Sequence, residues 1–357
     1  MRRLPIFFVV DVSESMVGEN LYKLEEGVGA IVSLLRKDPY ALETAFLSVI
    51  VFAGKARTIA PLTEIVSFYP PEFPVGGGTA LGGALEHLMD EIDRTVTTTT
   101  AERKGDWRPI VFLLTDGYPT DDVAPAVARW NKSYRNRISL VAVSIGGGAD
   151  HEMLKTLTED VLVFNDTAPD AFARFVQWIS MSIQSQSRSV SAGADGRVSL
   201  TKGDPDLLAF LEQADALSPF SGIDDRYAVF VGKCSKRDMP YILKYQRHMG
   251  QIEANDPALA ELLKTRRYVL DAAVPVKNSY FDLTDARKTG QNICSEDLIG
   301  QASCPHCGAP YAMAVCGCGG VHCVTGDGEH ICPWCGRKGY YKSAAEGEGF
   351  DIGRGRG

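Results

Sequence analysis

The sequence contains no apolar run approaching the ~20 residues a membrane-spanning helix requires, and its longest apolar stretches are broken by charges. No membrane partner is therefore expected. Basic residues are not in surplus either: 37 Lys and Arg stand against 45 Asp and Glu, a net charge of −8. That balance argues against broad attraction to nucleic acid or anionic lipid. Histidines are few, six in all and scattered, and no nucleophile and base pair stands out. The glycine-rich segment "GGGTA" at 76–80 lacks the lysine of a phosphate-cradling loop. These absences point to a protein that is not an enzyme. The opening "MRRLPIFFVVD" imitates a secretory leader, but its apolar part is short, closes at Asp11, and is followed by no small-residue cleavage site. It reads as a first strand, and the expected location is cytoplasmic.

At 357 residues the chain should hold two or three domains. Residues 1–185 alternate short β-branched runs with helical periodicity. "IFFVVD", "AFLSVIVFA", "ARTIA", "PIVFLLTD", "ISLVAVSIG" and "VLVFND" are the strand candidates. Leu24, Val28, Ile31 and Leu35 share one helical face, Leu81, Leu85, Leu88 and Ile92 another, and Phe172, Phe175, Val176, Ile179 and Ile183 a third. Apolar strands separated by helices predict an α/β fold, a doubly wound, mostly parallel, Rossmann-like sheet. "ARTIA" follows its predecessor so closely that it must be an antiparallel edge partner.

Residues 186–204 read as a Ser-, Gln- and Gly-rich linker, and 205–293 as a small β-rich segment. In the latter, "PDLLAFLEQADAL" suggests a short helix, and "DRYAVFVGKC", "PYILKYQRH" and "RRYVLDAAV" suggest strands. Residues 294–342 form a cysteine-rich module, and 343–357 a Gly-rich, charged tail expected to be disordered.

Two clusters of residues carry chemistry. In "FFVVDVSESMVG", Asp11, Ser13 and Ser15 follow the first strand at alternate positions, and in an extended backbone such side chains project to one side. The strand "PIVFLLTD" ends at Asp116 and is expected beside the first. "VGGGTALGG" delivers Thr79 at a helix start. In doubly wound sheets, ligands bind beyond the carboxyl ends of the strands where the strand order reverses. The five side chains should meet there. Two carboxylates and three hydroxyls are hard donors suited to Mg²⁺ or Mn²⁺, and three neutral donors leave the cation able to accept a partner's carboxylate.

The second cluster is "CPHCGAPYAMAVCGCGGVHCVTGDGEHICPWCG". Cys304-x-x-Cys307-Gly and Cys332-x-x-Cys335-Gly have the spacing of two zinc knuckles, with Cys316, Cys318 and Cys323 between them. Seven thiols plus His322 make eight ligands, enough for two Zn²⁺ ions, though one ion remains an open count. His330 or Cys294 is the alternative eighth ligand. Nine cysteines without an export signal favour metal ligation over disulfides.

From Leu4 to about residue 184, the joint pattern of "DVSES", "GGGT" and "TDG" resembles a von Willebrand factor A domain with its metal-ion-dependent adhesion site. The resemblance implies that Asp11, Ser13, Ser15, Thr79 and Asp116 form that site. Joined to the seven-cysteine module, the chain is similar to the TerY family associated with tellurium resistance and bacterial stress operons. Membership implies a scaffold working beside a protein kinase and a PP2C-type phosphatase, with Mg²⁺ at the adhesion site and zinc at the C-terminus. Two other readings compete with it: a thiol-based metal or oxidant sensor, and a Mg²⁺-dependent hydrolase. "TVTTTTAERKGDW", residues 95–107, is polar and stands as a candidate phosphoacceptor segment beside the simpler reading of a solvated loop.

Overall fold

Strand β1 (Leu4–Asp11) is buried along its whole length, because helices cover both faces of the sheet it centres. In the computed structural model the described residues are 2–102, 104–145, 149–164, 171–191, 211–213, 226–248, 267–285, 292–343 and 349–354. The chain divides into two compact units, residues 1–74 with 79–222, and 75–78 with 223–357.

In the first unit, β2 (Ala45–Phe52), β3 (Ala56–Glu64), β4 (Ile110–Thr115), β5 (Ser139–Ile145), β6 (Val161–Phe164) and β7 (Leu211–Gln213) join β1 in the order β3-β2-β1-β4-β5-β6-β7. The pairings from β2 through β1, β4 and β5 to β6 are parallel, whereas β3 and β7 run antiparallel at the two edges. Helices α1 (Glu19–Leu35), α2 (Pro39–Thr44), α3 (Leu81–Thr95), α4 (Ala124–Ser133), α5 (His151–Leu157) and α6 (Ala171–Ser191) complete this unit. The predicted stripes of α1 and α3 are buried, as are Val176, Ile179 and Ile183 of α6. The side chains of Phe172 and Phe175 lie outside the described residues. Phe8 stacks on Phe112 at 5.5 Å, and Trp178 meets Phe112 edge-on at 6.3 Å, so aromatic packing joins α6 to the centre of the sheet.

One boundary and one element differ from expectation. Helix α6 runs on to Ser191, past the expected linker start at 186, while 192–204 lies outside the described residues. Within "PDLLAFLEQADAL" the described part, Leu211–Gln213, is a strand on β6 rather than a helix. Apolar runs this short do not distinguish the two by periodicity.

The second unit contains β8 (Tyr227–Lys233), β9 (Pro240–His248), β10 (Arg267–Pro275), a helical turn α7 (Tyr280–Leu283), β11 (Asn292–Cys294), β12 (Leu298–Ile299), β13 (Tyr311–Val315), β14 (Val321–Val324), β15 (Gly328–Ile331), β16 (Lys338–Tyr341) and β17 (Asp351–Gly353). Its main sheet has the order β12-β10-β9-β8-β14-β13. The β-rich segment and the cysteine-rich module, given separate boundaries by sequence, therefore share one sheet through the parallel β8–β14 pairing. Gly232 makes this packing possible: a Cβ there would lie 2.2 Å from the Tyr241 ring, whose hydroxyl donates to the Ala312 carbonyl. The tail expected to be disordered is ordered in part, because β17 pairs antiparallel with β11 and buries Ile352 completely. One apolar side chain in the right register outweighs the polar composition around it.

Candidate metal centres

The sheet order reverses between β1 and β4, since the chain leaves β1 toward β2 on one side and later returns to β4 on the other. Beyond the carboxyl ends of these two strands a crevice opens, and Asp11, Ser13, Ser15, Thr79 and Asp116 are all buried in it. The alternating extended backbone expected of "DVSES" is not how they converge. β1 stops at Asp11, Ser13 donates its backbone N–H to Asp11 Oδ1 at 2.9 Å, and a single 3₁₀ turn over Glu14–Met16 carries Ser15 round. The side-chain hydrogen bond replaces the strand ladder at the point where the ladder ends.

Ser13 Oγ and Ser15 Oγ lie 3.0 Å apart, and Ser15 Oγ donates to Asp116 Oδ1 at 2.8 Å. Thr79 reaches the crevice because its N–H donates to Thr120 Oγ1 and its carbonyl accepts from the Thr120 N–H, each at 2.9 Å. α3 has no side-chain cap of its own at Ala80. Instead Asp121 Oδ1 and Oδ2 accept from the N–H groups of Gly82 and Gly83 at 3.1 and 2.8 Å. Gly117 lines the crevice, its Cβ direction facing Thr79 Oγ1 at 3.4 Å and Ser15 Oγ at 4.0 Å, which is ordinary contact distance.

Sequence reasoning missed Thr115. This buried residue donates from Oγ1 to Asp11 Oδ2 at 2.6 Å and accepts from the Gly117 N–H at 3.3 Å, fixing the rotamer of Asp11. Its only signal was a hydroxyl on the last strand position before Asp116. Burial first, and the neighbouring Asp116 second, push the Asp11 carboxyl up to about 7. Two buried carboxylates with three hydroxyls and no basic side chain among those five residues are a donor set that a divalent cation relieves.

The nine cysteines are free thiols, and eight of them fall into two groups of four, each with its sulfurs within 4.8 Å of one another. Cys234, Cys304, Cys307 and Cys323 make the first group, and Cys316, Cys318, Cys332 and Cys335 the second. The eighth ligand expected from sequence, His322, is in neither, and nor are His330 and Cys294. On β14 successive side chains alternate, so Cys323 and His322 face opposite ways. His322 Nδ1 lies 3.2 Å from Ser235 Oγ, and its ring meets Tyr341 edge-on at 4.9 Å. His330 Nε2 sits 2.8 Å from the Gly326 carbonyl, and Cys294 belongs to the β11–β17 pair.

Cys234 takes the eighth place because its turn is a knuckle in disguise. In Cys304–Gly308 and Cys332–Gly336 the glycine N–H donates to the first cysteine's carbonyl at 2.8 Å, with φ of 72° and 71°. In Cys234–Asp238 the Asp238 N–H donates to the Cys234 carbonyl at 2.9 Å with φ of 56°. Arg237 stands where the second cysteine would be, and donates its N–H to Cys234 Sγ at 3.3 Å. Half a knuckle with aspartate at the left-handed position gives no spacing signal.

A family model for the von Willebrand factor type A domain matches residues 6–178, and one for the TerY-C metal binding domain matches residues 224–357. The chain belongs to the TerY family. Solved structures similar to the first half of this TerY chain include a von Willebrand factor type A protein from Catenulispora acidiphila, 17% identical, with a TM-score of 0.40, over 51% of this chain and 43% of that one. Another is proximal thread matrix protein 1 from the mussel byssus with a zinc-occupied MIDAS motif, 21% identical, TM-score 0.36, over 50% and 46%. A third is BatB from Bacteroides thetaiotaomicron, 19% identical, TM-score 0.35, over 51% and 99%. This chain spans less than half the length of the first two.

The two thiol groups of the TerY-C domain differ in environment. In the first, Cys234, Cys304 and Cys323 are buried and Cys307 half-buried, whereas in the second only Cys332 is buried, Cys316 being half-buried and Cys318 and Cys335 exposed. Burial raises Cys304, while the Cys318 backbone N–H lowers Cys316 to about 6. Eight thiols in two tetrads fit two thiophilic ions in closed, four-coordinate sites. Neither group offers an open position. Among the described residues no helix is long and apolar enough to cross a membrane.

Proposed function

We propose that this TerY protein is a non-enzymatic, cytoplasmic scaffold whose von Willebrand A domain binds a protein partner through Mg²⁺, or Mn²⁺, while two Zn²⁺ ions hold the TerY-C domain together. The observation that carries the reading is the crevice itself. Asp11 and Asp116 supply the charge, Ser13, Ser15 and Thr79 the neutral oxygens, and a cation among them keeps affinity for one more carboxylate. When bound, the ion supplies a Lewis-acidic docking point. The chain's own residues hold and orient the oxygens, and Thr115 keeps Asp11 turned toward them. In family context, the partner's acidic residue belongs to a system of a protein kinase and a PP2C-type phosphatase active in tellurium and related stress.

The test is capture of partners from the native cytoplasm by wild type and by Asp11→Ala, each with magnesium, after circular dichroism establishes that the variant is folded. A partner held by wild type and lost from Asp11→Ala is expected. Equal retention by both would move recognition away from the crevice. The variant is the cleaner arm, because chelators also attack the thiol sites.

A second reading, a thiol-based metal or oxidant sensor, is favoured by the exposure of Cys318 and Cys335 in the second tetrad. It predicts biphasic zinc release under mild hydrogen peroxide, followed with a chromogenic chelator. One equivalent should leave at least tenfold faster, and a Cys335→Ser variant should lose that fast phase. Simultaneous release of both equivalents would count against a dedicated sensing site.

A further inference from the structure

The second unit contains a cavity of about 700 Å³. Strands β13 and β16 give its wall Tyr311, Met313, Tyr340 and Tyr341, and Cys316 is the one cysteine on it among the described residues. Tyr340 is 74% exposed, so part of that wall is in contact with solvent. Cys234, Cys304, Cys307 and Cys323, the first tetrad, do not line it. A small molecule that enters meets the second tetrad at Cys316.

The four thiols of that tetrad are not equivalent, because backbone hydrogen bonds hold three of them. Cys316 and Cys318 share a turn in which the Cys316 N–H donates to the Gly320 carbonyl at 3.0 Å and the Gly319 N–H to the Cys316 carbonyl at 2.7 Å. Cys332 is fully buried; its N–H donates to the Arg337 carbonyl at 2.9 Å and its carbonyl accepts from the Gly336 N–H at 2.8 Å. Cys318 Sγ lies 3.8 Å from Cys332 Sγ, so this pair joins two fixed backbones. Cys335 stands exposed in the knuckle loop that those Cys332 bonds close, with its Sγ 3.7 Å from Cys316 Sγ. A disulfide bond is about 2.05 Å long, so an exposed loop has only a short distance to travel to bring the two sulfurs together. Tyr341 holds the other partner. Its hydroxyl donates to the Cys316 sulfur, and its ring meets His322 edge-on at 4.9 Å and His330 at 6.0 Å.

Resting on the reading of the second tetrad as an oxidant sensor, we propose that Cys316 and Cys335 are its modification site, where a hydroperoxide entering the cavity oxidises Cys316 and Cys335 resolves it into a reversible disulfide. The Cys316 thiolate attacks one oxygen of hydrogen peroxide, the O–O bond breaks, hydroxide leaves and the sulfur becomes a sulfenic acid. The Cys335 thiolate then attacks that sulfur, the S–O bond breaks and a second hydroxide leaves. Two electrons pass from the pair of thiolates to the peroxide. Cys318 and Cys332 remain, two donors where a closed site needs four, so the tetrad releases its ion. A dithiol reductant restores the pair. Tyr341 is a positioning residue in this step. In a coordinated thiolate the proton is already gone, so a hydrogen bond to the sulfur only withdraws electron density and lowers its nucleophilicity.

The experiment treats the full-length, zinc-loaded chain with hydrogen peroxide, follows zinc with a chromogenic chelator, and blocks remaining thiols with an alkylating agent at each time. Cleavage after Asp327 or Glu329 separates Cys316 from Cys335, so mass spectrometry of the fragments identifies the bond. The first disulfide expected is Cys316–Cys335, formed as the first zinc equivalent leaves and while the first tetrad's thiols are still protected from alkylation. Tyr341→Phe, which keeps the ring and should keep two zinc equivalents, is expected to form the same bond at least threefold faster. A first disulfide at any other pair, Cys332–Cys335 or Cys318–Cys335 included, overturns the proposal. So does a Tyr341→Phe rate equal to that of wild type, since only attack by Cys316 is sensitive to this hydroxyl. If both zinc equivalents leave together, the sensor reading itself fails and the proposal with it; early release with the wrong disulfide overturns the proposal alone.

Discussion

Replacing Cys234 with serine should remove one metal ion from the TerY-C domain and most of that domain's stability, although this cysteine lies 70 positions before the next one in its tetrad. A structural zinc site is made in the folded state only, so its binding free energy, about 10–16 kcal/mol in small zinc modules, counts as folding free energy. Losing one of four thiolates forfeits several kcal/mol of it, comparable with the whole stability of a domain this size. The loss falls where the core has little to spare, since Cys234, Cys304 and Cys323 themselves belong to the buried cluster around Phe230 and Tyr241. Elemental analysis should find two zinc equivalents in wild type and one in Cys234→Ser, with the second unit unfolding at far lower denaturant. His322→Ala is the counterpart. It removes a buried ring packed on Tyr341 and should cost about 1–3 kcal/mol, yet leave the count at two. Should His322→Ala lose an equivalent while Cys234→Ser keeps both, the ligand assignment falls.

That contrast marks where the sequence was legible. β1, β2, β4 and β5 were readable because they are buried on both faces and so appear as unbroken apolar runs. Asp11, Ser13, Ser15, Thr79 and Asp116 were readable because each stands at the end of a strand or the start of a helix, where a polar residue interrupts a clear pattern. Cys304, Cys307, Cys332 and Cys335 announced themselves by local spacing. Cys234 did not, since its partners are brought to it by the parallel pairing of β8 with β14, a contact between segments about 90 residues apart that no local pattern encodes. His322 was chosen by proximity in sequence, and the alternation of β14 turned it the other way. Thr115 and Asp121 escaped for a related reason: they act by hydrogen-bonding residues roughly 100 and 40 positions away, Asp11 and Gly82.

Metal binding at the adhesion crevice should depend on pH across the neutral range, in the direction set by Asp11. Its carboxyl is buried beside Asp116 and raised to about 7, against an ordinary value of 3.8. Because the native pKa lies above the unfolded one, the metal-free native state holds a proton that the unfolded chain releases between about pH 4 and 7. Stability of the metal-free first unit should therefore be greatest below pH 4 with respect to this group, and fall as pH rises through that window. A cation reverses the sense, since it binds the carboxylate and must expel the proton. Its apparent affinity should rise about tenfold from pH 6 to pH 8 and level off above, as for any ligand competing with one proton near pH 7. Mn²⁺ titration followed by electron paramagnetic resonance measures this directly, with Mg²⁺ as competitor. Thr115→Val supplies the internal check. Removing the hydroxyl that donates to Asp11 Oδ2 takes away a bond favouring the carboxylate, so the titration should move to higher pH and the affinity at pH 7 should fall. An affinity flat between pH 6 and 8 would mean that Asp11 is already ionised without metal. The crevice would then hold its two charges by some other cation or by solvent, and the open coordination argued for partner binding would lose its basis.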